Sequence, residues 1–282
     1  MLRTRLITGV VLAILFLLAV ASPSSLVFYC FCGLALVIAG WEWSGLAGIS
    51  GVISKIALTL FVLAMLLAIF LSIPSMDRSL ISSESLIING LYIVIFLWPL
   101  FLILVIAYPR SQRVWNNRPF KIAIGALVFV QAWVAVIWTR EQEFYGHLMI
   151  YAIALVALSD IGAYFAGKKF GQIKLAANVS PGKSWEGVFG GVLVALLFAT
   201  IVHIIFGETV FNGLSLLLML LIALVVSLVS VLGDLSISML KRAAGIKDTG
   251  NILPGHGGVL DRIDGMLAAL PVFAFLMHLV KS

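Results

Sequence analysis

Between Asp234 and Asp264 an otherwise apolar chain carries Lys241, Arg242, Lys247, Asp248, His256, Asp261 and Arg262. Asp261 and Asp264, at i and i+3, fall on one side of a helical turn. With Asp234 from the preceding helical segment they form a set of hard oxygen donors suited to Mg²⁺ holding a nucleotide phosphate chain. Three carboxylates gathered this way repel one another unless a cation joins them. A competing reading is a surface network in which the acids neutralise Lys241, Arg242, Lys247 and Arg262. Ser238 falls with Asp234, Lys241 and Arg242 on or near one helix face. His256, between Gly255 and Gly257, is no metal site alone and reads as a hydrogen-bond donor or loop anchor.

A second polar stretch runs from Ser159 to Gly191, "SDIGAYFAGKKFGQIKLAANVSPGKSWEGVFGG". Asp160 lies inside an apolar segment near its end, where an ionisable group is costly unless it is paired, wet or bound to a cation. Either it pairs with a lysine such as Lys168, or it contacts a cation or substrate. Ser180-Pro181 reads as an N-cap followed by proline at the first helical position, presenting backbone N–H groups, Lys183 and Ser184 to an anion. The "PGKS" run is not a P-loop: that motif needs glycine where this chain has Ala177, and a preceding strand. Gly187, Gly190 and Gly191 permit either close approach to a ligand or close helix packing.

The elements that must hold these groups are membrane helices. The chain has 282 residues, is 62% hydrophobic and only 11% charged, with a mean hydropathy of +1.18. Apolar segments long enough to cross about 30 Å of hydrocarbon occur near residues 6–22, 25–47, 52–73, 86–108, 120–138, 147–167, 185–206, 213–240 and 264–280. Strand-like alternation is absent, which argues against a β-barrel. The expected fold is all-α, a single polytopic membrane domain with about nine transmembrane helices, residues 1–145 supplying N-terminal helices and 146–282 the catalytic helices and loops. Arg3, Arg5 and Ala19-Val20-Ala21 also fit a cleavable signal peptide, but a second apolar span follows almost at once. The eighth helix, from 213 to about 244, is longer than the bilayer needs and should emerge from it.

With the amino terminus inside and nine crossings, fifteen of the 18 lysines and arginines face the cytoplasm, leaving Arg78, Arg140 and Lys281 outside. The net charge of +6 then describes one membrane face, which would attract anionic lipid headgroups or phosphorylated substrates. Nucleic acid is a poor partner, since no soluble basic domain is visible. Residues 74–85, with Asp77, Arg78 and Glu84, and 139–146, with Arg140, Glu141 and Glu143, read as solvated outer loops. Residues 109–121 read as a basic topogenic loop with Trp115 near the interface. Cys30 and Cys32 read as packing residues, and Glu42, within Trp41-Glu42-Trp43, carries no assignable role.

Ser238-x-x-Lys241-Arg242, then Lys247-Asp248, then Leu253-Pro254-x-His256-Gly257-Gly258-x-x-Asp261-Arg262-x-Asp264 resembles the signature of phosphatidate cytidylyltransferases, also called CDP-diacylglycerol synthases. "GDLSIS", "SDIGAYFAGKKFG" and "SPGKSWEG" are similar to further family segments, so the resemblance covers roughly residues 155–275. Gly182 departs from it, standing where many members carry a second lysine, which weakens a phosphate role there. The resemblance implies that CTP and phosphatidic acid give CDP-diacylglycerol and pyrophosphate with Mg²⁺, held on positions matching Asp234, Asp261 and Asp264.

On that reading Lys241, Arg242, Lys247 and Arg262 offset phosphate charge, and Ser180, Lys183 and Ser184 are candidates for the lipid phosphate or nucleotide. Asp160 and Asp248 assist the metal or orient a lysine. The protein is then an integral protein of a bacterial cytoplasmic (inner) membrane, its site facing the cytoplasm among membrane lipids. A homodimer and a second cation are allowed by the sequence but not read from it. A transporter would concentrate charge near the midplane of repeated halves; a CTP-dependent polyprenol kinase stays open; the D-G-x-x-A-R pattern of CDP-alcohol phosphatidyltransferases fails after Asp264-Gly265.

Overall fold

A computed structural model describes residues 2–22, 24–72 and 81–281; Asp77 and Arg78 of the expected outer loop lie outside the described residues. The helices are α1 (Leu2–Ala21), α2 (Ser25–Leu46), α3 (Val52–Leu71), α4 (Ile81–Tyr92), α5 (Val94–Ile106), α6 (Gln112–Trp115), α7 (Arg118–Arg140), α8 (Tyr145–Phe170), α9 (Trp185–Phe206), α10 (Leu216–Ala243), α11 (Leu260–Ile263) and α12 (Met266–Lys281). Strands β1 (Lys174–Ala176) and β2 (Ser180–Ser184) form an antiparallel pair between α8 and α9.

Among the described residues, seven spans are long and apolar enough to cross a membrane, α4 and α5 together supplying one, Ser85–Ile106. Two shorter apolar stretches, Ile7–Ala21 and Met266–Val280, coincide with the first and last apolar segments of the sequence. The protein is therefore a helical polytopic membrane protein. α9 shows the kind of surface such a chain presents to lipid: Phe189, Leu193, Leu197, Ile201 and Ile204 form an exposed stripe along it.

α2, α3, α4 and α12 pack on α7, while α5, α9 and α12 pack on α10, so α12 joins the two groups. Indole N–H groups tie α7 to its neighbours: Trp43 donates to the Lys121 carbonyl and Trp133 to the Leu66 carbonyl, both at 2.9 Å. Each bond satisfies a polar atom that lipid cannot. α8 and α9 pack closely because their contact is made of small residues. A Cβ at Gly190 would collide with Ala166, one at Gly162 would press on Val194 and the Gly190 carbonyl, and one at Gly191 would meet the Ser159 carbonyl. The glycines thus serve helix packing, with Gly187 also bordering a cavity.

Three sequence expectations change. Ser180-Pro181 does not begin a helix: its backbone is extended, with Ala176 opposite Ser180 and Lys174 opposite Ser184. Pairing across the hairpin outweighs the local cap signal, and proline is tolerated at such an edge. The N-cap is Ser184, whose hydroxyl accepts from the Gly187 N–H at 3.2 Å. Residues 139–146 are not a wholly solvated loop, because α7 continues through Arg140, which is buried. Its guanidinium lies 3.6 Å from the Tyr145 ring centre, and its Nε donates to Ser25 at 3.1 Å. Trp115 is likewise enclosed, donating to the Ser111 hydroxyl at 3.0 Å.

Replacing Gly190 with leucine should separate α8 from α9. Overpacking of this kind costs about 1–3 kcal/mol, so a lower Tm in detergent is expected, whereas Leu193→Ala on the lipid-facing stripe should leave Tm nearly unchanged.

Candidate active site

The β1–β2 hairpin brings Lys183 over α8 and α10. Lys183 Nζ lies 2.5 Å from Asp234 Oδ2, and the Ser238 hydroxyl, one turn along α10, donates to Asp234 Oδ1 at 3.1 Å. Asp160, Lys168, Lys183, Ser184 and Asp234 line a cavity of about 360 Å³, with Gly167, Gly182 and Gly187 keeping it open. Asp160 stands ten residues before the end of α8 and Asp234 nine before the end of α10, roughly 14–15 Å along each axis. Asp160 makes no ion pair with Lys168 among the described residues; Lys183 and Asp234 are the charges that act on it. Ser180 begins β2 and Ser184 is occupied as the α9 cap.

The loop after α10 carries a second charged centre. Lys241 Nζ pairs with Asp261 Oδ1 at 2.7 Å. Asp261 Oδ2 accepts from the Thr249 N–H at 2.8 Å, the Thr249 hydroxyl at 3.0 Å and the Gly258 N–H at 3.1 Å. Burial alone would raise the Asp261 pKa, but the Lys241 ammonium and these N–H donors hold the carboxyl below the usual aspartate range. The second centre is closed and the first is open: the Asp261 side chain is 3% exposed, that of Asp234 36%.

Asp264 joins the two. It accepts from the Gly265 N–H at 2.8 Å, and burial, then the nearby Asp234 carboxylate, push its pKa above the usual range. Lys241 and Lys183 act on it in the opposite direction. Arg242 turns away to donate from Nε to the Val179 carbonyl at 3.1 Å, holding the hairpin turn. Lys247, Asp248 and Arg262 are exposed. His256 faces Gly9 of α1, its Nδ1 buried without a partner among the described residues.

A residue to which the sequence assigned no role proves central to the loop. Glu42 of α2 is buried, and its carboxylate accepts from the N–H groups of Val259 at 3.0 Å and Leu260 at 2.7 Å. The available signal was an acid inside an apolar helix, costly unless satisfied; its partners lie too far along the chain for the sequence to name.

The Cytidylyltransferase family matches residues 3–280. The chain belongs to this family. It is similar to a phosphatidate cytidylyltransferase of Pseudomonas aeruginosa, 39% identical over 98% of this chain and 97% of the relative. A Haemophilus influenzae protein of the same name is 34% identical over 99% of this chain and the whole relative. One from Bacillus subtilis is 40% identical over 56% of this chain and 58% of the relative.

In this cytidylyltransferase-family chain no three His, Cys, Asp or Glu side chains among the described residues converge closely enough to hold a metal ion. Asp234 and Asp264 are the neighbouring hard donors, and the repulsion between them fits a cation's place. The Asp261 oxygens are taken by Lys241, Thr249 and Gly258. Asp264→Asn removes that repulsion. In the absence of divalent cations the variant should melt at a higher temperature than the parent protein, because a charge disfavoured in the fold is gone; calorimetry in chelator-treated detergent checks this.

Proposed function

We propose that the chain is a phosphatidate cytidylyltransferase, transferring CMP from CTP to phosphatidate to give CDP-diacylglycerol and pyrophosphate. The observation that carries this reading is the nearly full-length similarity to relatives bearing that name. A charged cavity beside an apolar one supports it. The polar cavity shares Val188 and Val231 with an apolar cavity of about 530 Å³ between α5, the hairpin, α9 and α10. A substrate with a charged head and acyl chains fits such a junction.

The phosphate monoester of phosphatidate is itself an anionic nucleophile, so no side chain need generate one. One of its oxygens bonds to the α-phosphorus of CTP while the bond from that phosphorus to the β-bridging oxygen breaks, and pyrophosphate leaves with the electron pair. Position and charge compensation are the protein's part. Lys183 exchanges its Asp234 partner for a substrate phosphate, the pair being half-exposed at the cavity and so open to exchange. Lys241 stays oriented by Asp261, and Lys247 and Arg262 meet the triphosphate from the water side. Arg242 keeps the hairpin, and hence Lys183, in register. Ser184 lines the cavity while capping α9, Ser180 starts the strand that carries Lys183, and Asp160 and Asp248 orient the lysines.

Mg²⁺ is assigned to Asp234 and Asp264, with Asp261 adjoining; when bound it neutralises triphosphate charge and stabilises the leaving group. We further propose nine crossings with a cytoplasmic amino terminus in a bacterial inner membrane, supported by the concentration of lysine and arginine on one face.

Purified protein given α-³²P-labelled CTP, phosphatidate and Mg²⁺ should move label into organic-extractable lipid. Asp261→Asn should reduce this by roughly 10²–10³-fold, the scale of losing an electrostatic stabiliser, because Lys241 is no longer held by its carboxylate. If a parallel reaction with γ-labelled CTP moves label into lipid while the α-label stays in water, the protein is a kinase, and no transfer by folded protein would overturn the assignment.

A further inference from the structure

We propose that Glu42 is a positioning residue for the transfer reaction: its carboxylate, supplied from α2, sets the conformation of the loop that presents Asp261 and Lys241. The catalytic part of this inference rests on the function proposed above. Its structural part stands on the hydrogen bonds alone.

Glu42 is 3% exposed and forms no ion pair among the described residues. A buried carboxylate without a cation needs several donors to replace its lost water. It finds them in one place: Val259 N–H on Oε1 at 3.0 Å, Leu260 N–H on Oε2 at 2.7 Å and the Thr249 hydroxyl 3.2 Å from Oε2. The two N–H groups open α11, whose own N-cap position, Val259, offers no side-chain acceptor. Glu42 therefore performs from another helix the capping that serine or aspartate performs locally.

The loop is shaped to receive it. A Cβ on Gly250 or Gly258 would run into the Glu42 carboxylate, so the loop backbone closes around the carboxylate only because both residues are glycine. From the other side, Trp43 fixes the rotation of α2. Its indole donates to Lys121 at 2.9 Å and fills the space beside Gly125, where any Cβ would strike the ring.

Thr249 carries the connection to the reacting region. Its hydroxyl lies 3.2 Å from Glu42 and 3.0 Å from Asp261 Oδ2. One hydroxyl proton serves one carboxylate at a time. The Thr249 N–H stays on Asp261 at 2.8 Å, so Glu42, Thr249 and Asp261 form a continuous chain to Lys241. Loss of Glu42 frees α11 and the Thr249 side chain together, and Asp261 no longer holds Lys241 in one direction.

Glu42→Gln keeps the volume but replaces one acceptor oxygen with an N–H₂ that faces a backbone donor. Thr249→Val tests the same link from the loop side without touching α2. Two readouts separate positioning from simple stability. Amide hydrogen exchange should rise at residues 249 and 258–261 in Glu42→Gln while the spanning helices keep the parent rates. Per folded molecule, kcat should fall about 10–100-fold, the usual loss on removing a residue that orients a reacting group, with the KM for CTP changed less than threefold. Glu42→Asp should recover part of the loss. Unchanged loop exchange in Glu42→Gln overturns the proposal whether or not the parent protein transfers CMP. Parental kcat in both Glu42→Gln and Thr249→Val overturns it while leaving the cytidylyltransferase assignment intact. If Glu42→Gln does not fold, the Thr249→Val exchange and kcat decide by the same criteria.

Discussion

A carboxylate enclosed by apolar helices persists only where donors or cations replace the water it has left. In this protein Glu42, Asp234 and Asp261 find those replacements in contacts that join the elements around the site. Asp234 on α10 meets Lys183 of the hairpin. Asp261 meets Lys241 and the N–H groups of its own loop. Glu42, from α2, meets the start of α11. Removing one partner of an enclosed pair such as Lys241–Asp261 leaves an uncompensated charge, which costs far more than the pair itself contributes.

The same requirement separates the two charged centres. Asp261 has so many donors that it is a fixed acceptor, a support for Lys241. Asp234 and Asp264 are less completely compensated: Asp234 opens on a cavity, and Asp264 takes one N–H and feels the Asp234 charge. Charge that the fold leaves incompletely balanced is charge available to a ligand. The close α8–α9 contact through Gly162, Gly190 and Gly191 contributes by bringing Asp160 and the hairpin to the same wall as Asp234.

Much of the architecture was legible in the chain. Apolar segments could be placed within a few residues of the helices because lipid exposure and helical hydrogen bonding act on contiguous residues. α10 extends past the length a bilayer needs, as its pattern indicates. The hairpin was not legible: Ser180-Pro181 resembles a helix start, and only pairing with Lys174–Ala176 makes it a strand. Arg140 looked like a loop cation, yet it is enclosed by Ser25 and Tyr145. Its long apolar stem and flat guanidinium suit an aromatic pocket, a preference no linear pattern records.

The sequence by itself determined the helical membrane class, the concentration of charge at one end of the later helices, and the family signature from Ser238 to Asp264. Each of these is written in residues close together along the chain. Only the tertiary structure decided that Lys183 answers Asp234, that Arg242 holds the hairpin rather than facing the cavity, and that Glu42 governs a loop 217 residues away. The physical reason is that a buried charge is satisfied by whatever donor folding brings within about 3 Å, and that distance is set by packing between helices, not by neighbours in sequence.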